Sequence, residues 1–155
     1  MVGGLAAALL LCATVACSAG PLGSSEAVAA KPVPLSIRTA QGERKFKIEV
    51  AQTAEEQARG LMFRESLPAD GGMIFPMIPP RHASFWMKNT LIPLDMIFIR
   101  SDGTIARIEP ETIPHSLVPV QSGEPVAAVL EIDGGLSAKL GIAEGDQVIW
   151  DNPAD

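Results

Sequence analysis

Residues 84–99 have the sequence SFWMKNTLIPLDMIFI, an apolar run of the kind that forms a core β-strand. Four of its side chains nevertheless carry polar groups that water solvates well: Trp86, Lys88, Asn89 and Asp95. Burial of a polar group without a hydrogen-bond partner is unfavourable. These side chains are therefore expected either to be paired inside the fold or to form a site.

The first half of this stretch, Ser84 to Thr90, is predicted to be extended. Side chains of a strand alternate between its two faces, so Phe85 and Met87 should enter the core. Trp86 and Lys88 then share the opposite face, where an aromatic plate beside a cation suits a sugar ring or an anionic ligand. The sequence thus predicts a ligand-contacting surface here. The alternative is that Trp86 packs beneath a loop while Lys88 lies along the protein surface.

Two acidic residues, Asp95 and Glu131, interrupt otherwise apolar strand sequences. A buried carboxylate without a partner is strongly unfavourable, or it takes up a proton instead. Asp95 is therefore expected to be paired. Its candidate partners are nearby backbone amides, Asn89, Lys88 and Arg59. A structural role is the main interpretation for both carboxylates, and a catalytic acid with a perturbed pKa is the alternative.

The remaining sequence predicts short strands. Apolar and charged residues alternate around Phe46, Ile48 and Val50, which indicates a β-hairpin with one buried face. Thr53 and Glu56 have the spacing of a capping box, which starts a short helix. Further apolar segments between Gly and Pro turns bring the total to about seven or eight strands and two short helices. We therefore predict a compact, single, β-rich α+β domain that could close into a small barrel.

The N-terminal sequence is typical of an exported protein. Residues 1–25 contain no charged group, and Val2 to Ala16 form an apolar run of fifteen residues. That run is too short to span a bilayer as a helix and resembles the apolar part of a secretory signal. We predict a signal peptide over residues 1–17, a flexible linker over 18–34 and the folded domain over 35–151. Cys17 follows a small residue, as in a lipoprotein signal, so the protein is expected in the periplasm or anchored to the membrane through Cys17. Cleavage after Ala29 is the alternative.

Charge is distributed unevenly along a chain whose formal net charge is −6. Residues 31–100 hold ten basic and seven acidic groups, whereas residues 101–155 hold two basic and ten acidic groups. Nucleic-acid binding normally needs a basic footprint, so we expect no nucleic-acid partner. The expected partner is a small molecule or another component of the cell envelope, and the sequence predicts no oligomeric state.

The usual catalytic and metal-binding motifs are missing from the sequence. There is no Gly-x-Ser-x-Gly, no His-Glu-x-x-His, no phosphate-binding glycine loop and no calcium loop, and we predict no cofactor. One metal alternative remains, because five methionines fall within thirty-five residues together with His82, and thioether and imidazole ligands suit Cu(I). These methionines are Met62, Met73, Met77, Met87 and Met96. Methionine also fills irregular cores, which is the simpler interpretation.

Six motifs together resemble the domain of unknown function 192 family of small bacterial and archaeal proteins, and the resemblance covers about Phe46 to Trp150. The motifs are Arg59–Arg64 (RGLMFR), Gly72–Phe75 (GMIF), Phe85–Thr90 (FWMKNT), Ile92–Phe98 (IPLDMIF), Val129–Glu131 (VLE) and Gly145–Val148 (GDQV). The resemblance implies a β-rich α+β fold. It implies no activity, substrate or cofactor, so no catalytic residue is carried over.

The main functional hypothesis is a non-enzymatic binding module of the cell envelope that contacts a ligand or partner through its Trp/Lys surface. The predicted ligand-contacting residues are Trp86, Lys88, Asn89, Thr90, Asp95, Glu131 and Arg59. One alternative is an enzyme that acts on cell-wall or polysaccharide material through Asp95, Glu131 or Lys88. The other is copper binding by the methionine cluster.

Overall fold

A hairpin begins the fold in the computed structural model, which describes residues 31–151. Val33–Thr39 (β1) pairs antiparallel with Gly42–Val50 (β2). Gly42 has φ 110° in the turn between them, a backbone conformation that glycine adopts at little cost. The predicted signal segment, Cys17 and the linker as far as residue 30 lie outside the described residues, and β1 starts two residues before the expected domain boundary.

The hairpin is followed by one helix, four strands, a second helix and a last strand. These elements are Ala54–Arg59 (α1), Gly71–Phe85 (β3), Leu94–Ile99 (β4), Ile105–Thr112 (β5), Val120–Asp133 (β6), Leu136–Leu140 (α2) and Gln147–Trp150 (β7). The seven strands form one sheet in the order β5-β4-β6-β3-β2-β1-β7. The prediction of a β-rich α+β single domain with two short helices is confirmed.

The sheet curls into a half-barrel. This curvature brings the start of one edge strand, β5, close to the start of the other edge strand, β7. The Ile105 amide donates to the Asp146 carbonyl at 2.9 Å, and the Val148 amide donates to the Gly103 carbonyl, also at 2.9 Å. Thr104 and Gln147 form an isolated bridge between the same two segments. These bonds pair part of the edges, which would otherwise expose unpaired backbone groups.

Two apolar clusters lie on opposite faces of the sheet. The interior cluster takes residues from all seven strands, among them Ile37, Ile48, Leu130 and Ile132. The outer cluster takes residues from only three strands, β3, β4 and β6, and is covered by Leu61 after α1 and by Met87 after β3; its larger members are Met73, Phe75, Met77, Leu94, Met96, Phe98 and Val129. Strands β4 and β6 are therefore buried on both faces over much of their length.

The stretch Ser84 to Thr90 is not the strand that its sequence suggested. Strand β3 continues through an irregularity between Pro76 and Arg81 and ends at Phe85. The chain then turns, since the Thr90 amide donates to the Met87 carbonyl at 3.1 Å. Asn89 has φ 56°, a left-handed conformation that asparagine tolerates better than most residues.

The helix α1 begins as predicted. The Thr53 hydroxyl accepts from the Glu56 amide at 3.1 Å, and the Glu56 carboxylate accepts from the Thr53 amide at 2.8 Å. Both hydrogen bonds of a capping box are present, which satisfies amides that have no partner within a helix. The helix ends at Gly60, where φ is 48° and an added Cβ would lie 3.2 Å from the Phe75 ring.

Asp95 joins three elements through a fully buried carboxylate. It accepts hydrogen bonds from the backbone amides of Glu111, Gly135 and Ser137, each at 2.8 Å, and from the Ser137 hydroxyl. Among the predicted partners, the backbone amides are therefore the groups that donate hydrogen bonds to Asp95. It forms no bond with the other candidates, Asn89, Lys88 and Arg59. The carboxylate ties the end of β5 and the start of α2 to β4.

We expect Asp95→Ala to lower the free energy of unfolding by about 3–5 kcal/mol, because it leaves three amides without an acceptor. Ser137→Ala removes one of the four bonds and should cost only about 1 kcal/mol. Urea unfolding followed by far-UV circular dichroism measures both values. An Asp95→Ala protein as stable as the Ser137→Ala protein would show that the carboxylate is not the junction of these elements.

Candidate functional site

An open groove of about 500 Å³ lies over the outer cluster. Residues 57–62, at the end of α1 and just after it, form one wall. Residues 81–86, the second half of β3 and the first residue beyond it, form the other. Glu131 and Thr90 also line it. The groove exists because the capping box and Gly60 fix where the segment after α1 crosses the outer face of β3.

Glu131 is a carboxylic acid in apolar surroundings. It lies on β6 between Met73 of β3 and Met96 of β4, and only 5% of its surface is exposed. No group in residues 31–151 donates a hydrogen bond to its carboxyl. Every buried side-chain oxygen in the described residues has either a hydrogen-bond partner or some contact with solvent. The carboxyl therefore opens to the groove. Burial raises the pKa of Glu131 to about 8, because the low-dielectric surroundings disfavour the charged form.

Trp86 and Lys88 stand together at the rim of the groove. Half of Trp86 is exposed, and the Lys88 ammonium lies 5.1 Å from the centroid of its ring. This distance is within the range of a cation–π contact. The expected pairing of the two side chains is thus present, although a turn rather than strand alternation produces it.

Three basic side chains also line the groove: Arg59, Arg81 and His82. All three are exposed. No ion pair within residues 31–151 involves them or Lys88. The groove thus has the guanidinium groups of Arg59 and Arg81 along its walls, and at its base a carboxyl group whose pKa is raised by burial.

Four of the seven predicted ligand-contacting residues line this one groove: Arg59, Trp86, Thr90 and Glu131. Lys88 contacts Trp86. Asn89 does not line the groove, and its side-chain amide nitrogen lies 3.8 Å from the sulfur of Met62. Asp95 lies elsewhere, since its four donors enclose it.

Sequence analysis missed Arg81 and His82 as groove residues. Strand β3 continues past Pro79 and Pro80 and pairs Arg81 with Val126, which brings His82 into the wall of the groove. A local signal was available in Ala83 and Phe85, whose alternation with polar residues indicates a strand.

Four of the five methionines pack as core residues. Met73, Met77, Met87 and Met96 are buried in the outer cluster, whereas Met62 is only partly buried and lines the groove. The Thr112 hydroxyl donates to the Leu94 carbonyl at 2.8 Å and lies 3.1 Å from the Met87 sulfur. Among residues 31–151, no three His, Cys, Asp or Glu side chains come together as a metal site would require. No helix in the same range is long and apolar enough to cross a membrane.

Comparison with known proteins finds one family and several solved structures. The model of the DUF192 family, described as "Uncharacterized ACR", matches residues 36–150. A protein of unknown function from Novosphingobium aromaticivorans DSM 12444 has 44% sequence identity and a TM-score of 0.78, over 81% of this chain and 89% of that one. A "putative transcription regulator" from Sinorhizobium meliloti 1021 has 39% identity and a TM-score of 0.76, over 79% and 96%. None of the curated proteins matches the chain.

The raised pKa of Glu131 predicts a pH-dependent stability. Between pH 4.5 and about 8 the folded protein retains a proton that the unfolded chain releases. The free energy of unfolding should therefore fall as pH rises through this window, by at most about 1.4 kcal/mol per pH unit, and level off above it. Glu131→Gln, which is neutral throughout, should remove this slope.

Urea unfolding at pH 5, 6, 7, 8 and 9 measures the effect. Glu65→Gln is the matched control, because Glu65 is exposed and makes no hydrogen bond with its side chain in the described part of the chain. It should keep the slope of the natural protein. Equal slopes in the natural protein and Glu131→Gln would mean that Glu131 titrates like an exposed carboxyl group.

Proposed function

The chain belongs to the DUF192 family, and we propose that it is a binding module that holds a small polar ligand in the groove above Glu131. The ligand class that fits is an acidic carbohydrate. Trp86 would stack on a sugar ring, and the neutral Glu131 carboxyl would donate a hydrogen bond. The basic side chains of the groove walls would form ion pairs with the negatively charged group of the ligand.

The observation that carries this proposal is the state of the Glu131 carboxyl. Buried polar groups in proteins are nearly always hydrogen-bonded, yet this one opens to a groove and has no partner in the described chain. A hydroxyl or carbonyl oxygen of a ligand would complete it. Desolvation makes such a hydrogen bond stronger than it is in water.

The wall residues support a ring-shaped, anionic ligand. Trp86 offers an exposed aromatic face, already held by Lys88, and aromatic faces stack on the apolar side of sugar rings. Arg59 and Arg81 carry planar guanidinium groups that match a carboxylate in two parallel hydrogen bonds. The net charge of −6 and the acidic C-terminal half argue against a duplex nucleic acid as the ligand.

Catalysis by the same groove is the second candidate, and a specific observation favours it. A carboxylic acid that stays protonated at neutral pH in an apolar site can act as a general acid toward a leaving group. The second carboxylate of a two-acid mechanism would have to come from elsewhere, because Asp95 is fully buried and enclosed by its four donors. Binding without turnover is therefore the better-supported proposal.

We place this module in the cell envelope, as the sequence of residues 1–30 predicts. A lipid on Cys17 would leave sixteen residues from the anchor to Val33, a reach of up to about 55 Å at full extension. Fractionation of cells that make the full chain tests this. The protein should appear in the membrane fraction, Cys17→Ser should move it to the soluble envelope fraction, and recovery of the unaltered chain from the cytoplasm would contradict export.

Ligand binding is tested by thermal shift and Trp fluorescence. The probes are galacturonic acid and N-acetylmuramic acid, with galactose and N-acetylglucosamine as their neutral counterparts and Cu(I) as the metal probe. An acidic sugar at about a hundred times its Kd should stabilise the protein by about 2.7 kcal/mol and shift Tm by several degrees. The neutral counterparts should produce a smaller shift, because they leave the cations of the groove unused.

Variants locate the site. Trp86→Ala and Glu131→Leu should each raise the apparent Kd at least about tenfold, whereas Glu131→Gln, whose amide still donates, should bind nearly as well. Trp150→Phe and Glu65→Gln, which change the same residue types outside the groove, should leave the apparent Kd unchanged. Consumption of a muropeptide or an acidic oligosaccharide that stops in Glu131→Gln would establish catalysis instead. A shift with Cu(I) alone would favour the methionine hypothesis, and an acidic-sugar shift that survives both Trp86→Ala and Glu131→Leu would exclude this groove.

A further inference from the structure

Large exposed apolar side chains are concentrated on one part of the surface. Eight such residues occur in residues 31–151, with exposures from 39% to 73%. Six of them form what we term the apolar rim: Phe63, Trp86, Leu91, Ile113, Leu117 and Val118. The other two, Ile78 in the middle of β3 and Ile149 in β7, line a different cavity.

Backbone hydrogen bonds hold the three segments of the apolar rim side by side. The Met87 amide donates to the Ser116 carbonyl at 2.9 Å, which joins the turn after β3 to the loop between β5 and β6. The Phe63 amide donates to the Asn89 carbonyl, also at 2.9 Å, which joins the segment after α1 to the same turn. The six residues therefore belong to one contiguous set of loops and not to scattered positions.

The loop between β5 and β6 carries the most exposed part of the rim. Ile113, Leu117 and Val118 are 64% to 73% exposed, although the loop is anchored at its middle, where the His115 amide donates to the Thr90 carbonyl at 3.1 Å. An anchored loop that still exposes three large aliphatic side chains keeps them available to a partner. Contiguous exposed apolar surface of this kind marks protein or membrane contacts.

Charge and composition favour a lipid surface over a protein partner. Trp86 and Lys88 are the two residue types that lie at the boundary between acyl chains and headgroups, the ring in the apolar layer and the ammonium among the phosphates. Arg59, Arg81 and Lys88 make no ion pair within the described residues. A protein with net charge −6 thus presents unpaired cations beside its apolar loops, which complements an anionic bilayer.

The strand register gives the same orientation. Val33, where β1 begins, pairs with Ile48, and Ile48 pairs with Gly72. In the strands beyond β3, Ile132 of β6 pairs with Asp95 of β4. Asp95 is one register position from the partner of Thr112, which is the last residue of β5. The chain therefore enters the sheet at the end from which the apolar loop leaves it. A tether to a membrane and the apolar rim would meet the bilayer from the same end of the domain.

We propose that the apolar rim docks on an anionic phospholipid bilayer, inserting Ile113, Leu117, Val118 and the Trp86 ring among the headgroups. This contact shares Trp86, Arg59 and Arg81 with the ligand groove, and it requires no lipid on Cys17. It orients the groove mouth toward the membrane surface.

Vesicle binding by residues 31–155 tests the proposal. The domain suffices because the described residues build two packed apolar clusters among themselves, and the solved relatives are matched over 89% and 96% of their own length. Omitting residues 1–30 removes an apolar segment that would bind lipid by itself. The measurements are co-sedimentation and Trp fluorescence with phosphatidylcholine vesicles containing 30% phosphatidylglycerol, and with pure phosphatidylcholine.

The expected results separate insertion from charge attraction. The domain should bind the anionic vesicles with a blue shift of Trp86 emission in a Trp150→Phe background. The triple variant Ile113→Ser, Leu117→Ser, Val118→Ser should lower the partition coefficient at least about tenfold. Lys88→Ala should lower it roughly fivefold on anionic vesicles only. The matched control Ile78→Ser, Ile149→Ser changes exposed aliphatic residues outside the rim and should bind like the natural protein.

Three outcomes would overturn the proposal. The first is absence of binding to the anionic vesicles, and the second is equal loss of binding in the rim and control variants. The third is a concentration-dependent dimer in analytical ultracentrifugation that the rim variant abolishes and vesicles do not affect, since the rim would then join two copies of the chain. Because the rim variant leaves Glu131, Arg59 and Trp86 in place, it should still bind acidic sugars. Loss of lipid binding alone thus leaves the proposed function standing.

Discussion

Burial of β6 on both faces is the constraint on which the rest of this structure depends. The strand lies between β3 and β4 in the middle of the sheet, with Leu130 and Ile132 in the interior cluster and Val129 in the outer one. Along residues 128–132 of this strand, neither face gives a charged side chain free access to bulk water. Glu131 must then occupy an apolar site, and the opening above it is where its carboxyl meets solvent. Gly72 allows this close assembly, because a Cβ there would lie 2.5 Å from the Glu131 carbonyl oxygen.

The two buried acids solve the same desolvation problem in different ways. Asp95 is surrounded by donors, so its buried carboxylate is compensated within the protein and fixes local geometry. Glu131 has no such donors among residues 31–151, and burial shifts it toward the neutral form instead. The first arrangement is typical of a structural junction. The second leaves an unused hydrogen-bonding group beside a groove, which is typical of a site that receives a ligand.

The turn after β3 links the ligand groove to the apolar rim. Trp86 borders the groove, and Met87 is buried in the outer cluster. The backbone carbonyls of Asn89 and Thr90 accept hydrogen bonds from the neighbouring loops. A residue in the left-handed conformation at position 89 lets the chain reverse direction within this short distance. Binding at the rim and binding in the groove would therefore act on one small segment. That segment is hydrogen-bonded to the loops on either side of it and packs against an apolar cluster through Met87.

Local sequence patterns determined much of this protein. Alternation predicted the first hairpin, the spacing of Thr53 and Glu56 predicted the start of α1, and the apolar strands predicted a β-rich single domain, since each of these signals acts between residues a few positions apart. The sequence also indicated that Asp95 needed a partner and that Trp86 would accompany Lys88. Only the tertiary structure decided which donors reach Asp95, because they lie 16, 40 and 42 residues away. It likewise decided that Arg59, Arg81 and Glu131 border one groove, and that the chain predicted to be extended from Ser84 to Thr90 leaves β3 after Phe85 and turns. These outcomes depend on which segments cover the outer face of the sheet, a choice made by packing between distant parts of the chain and not by any local pattern.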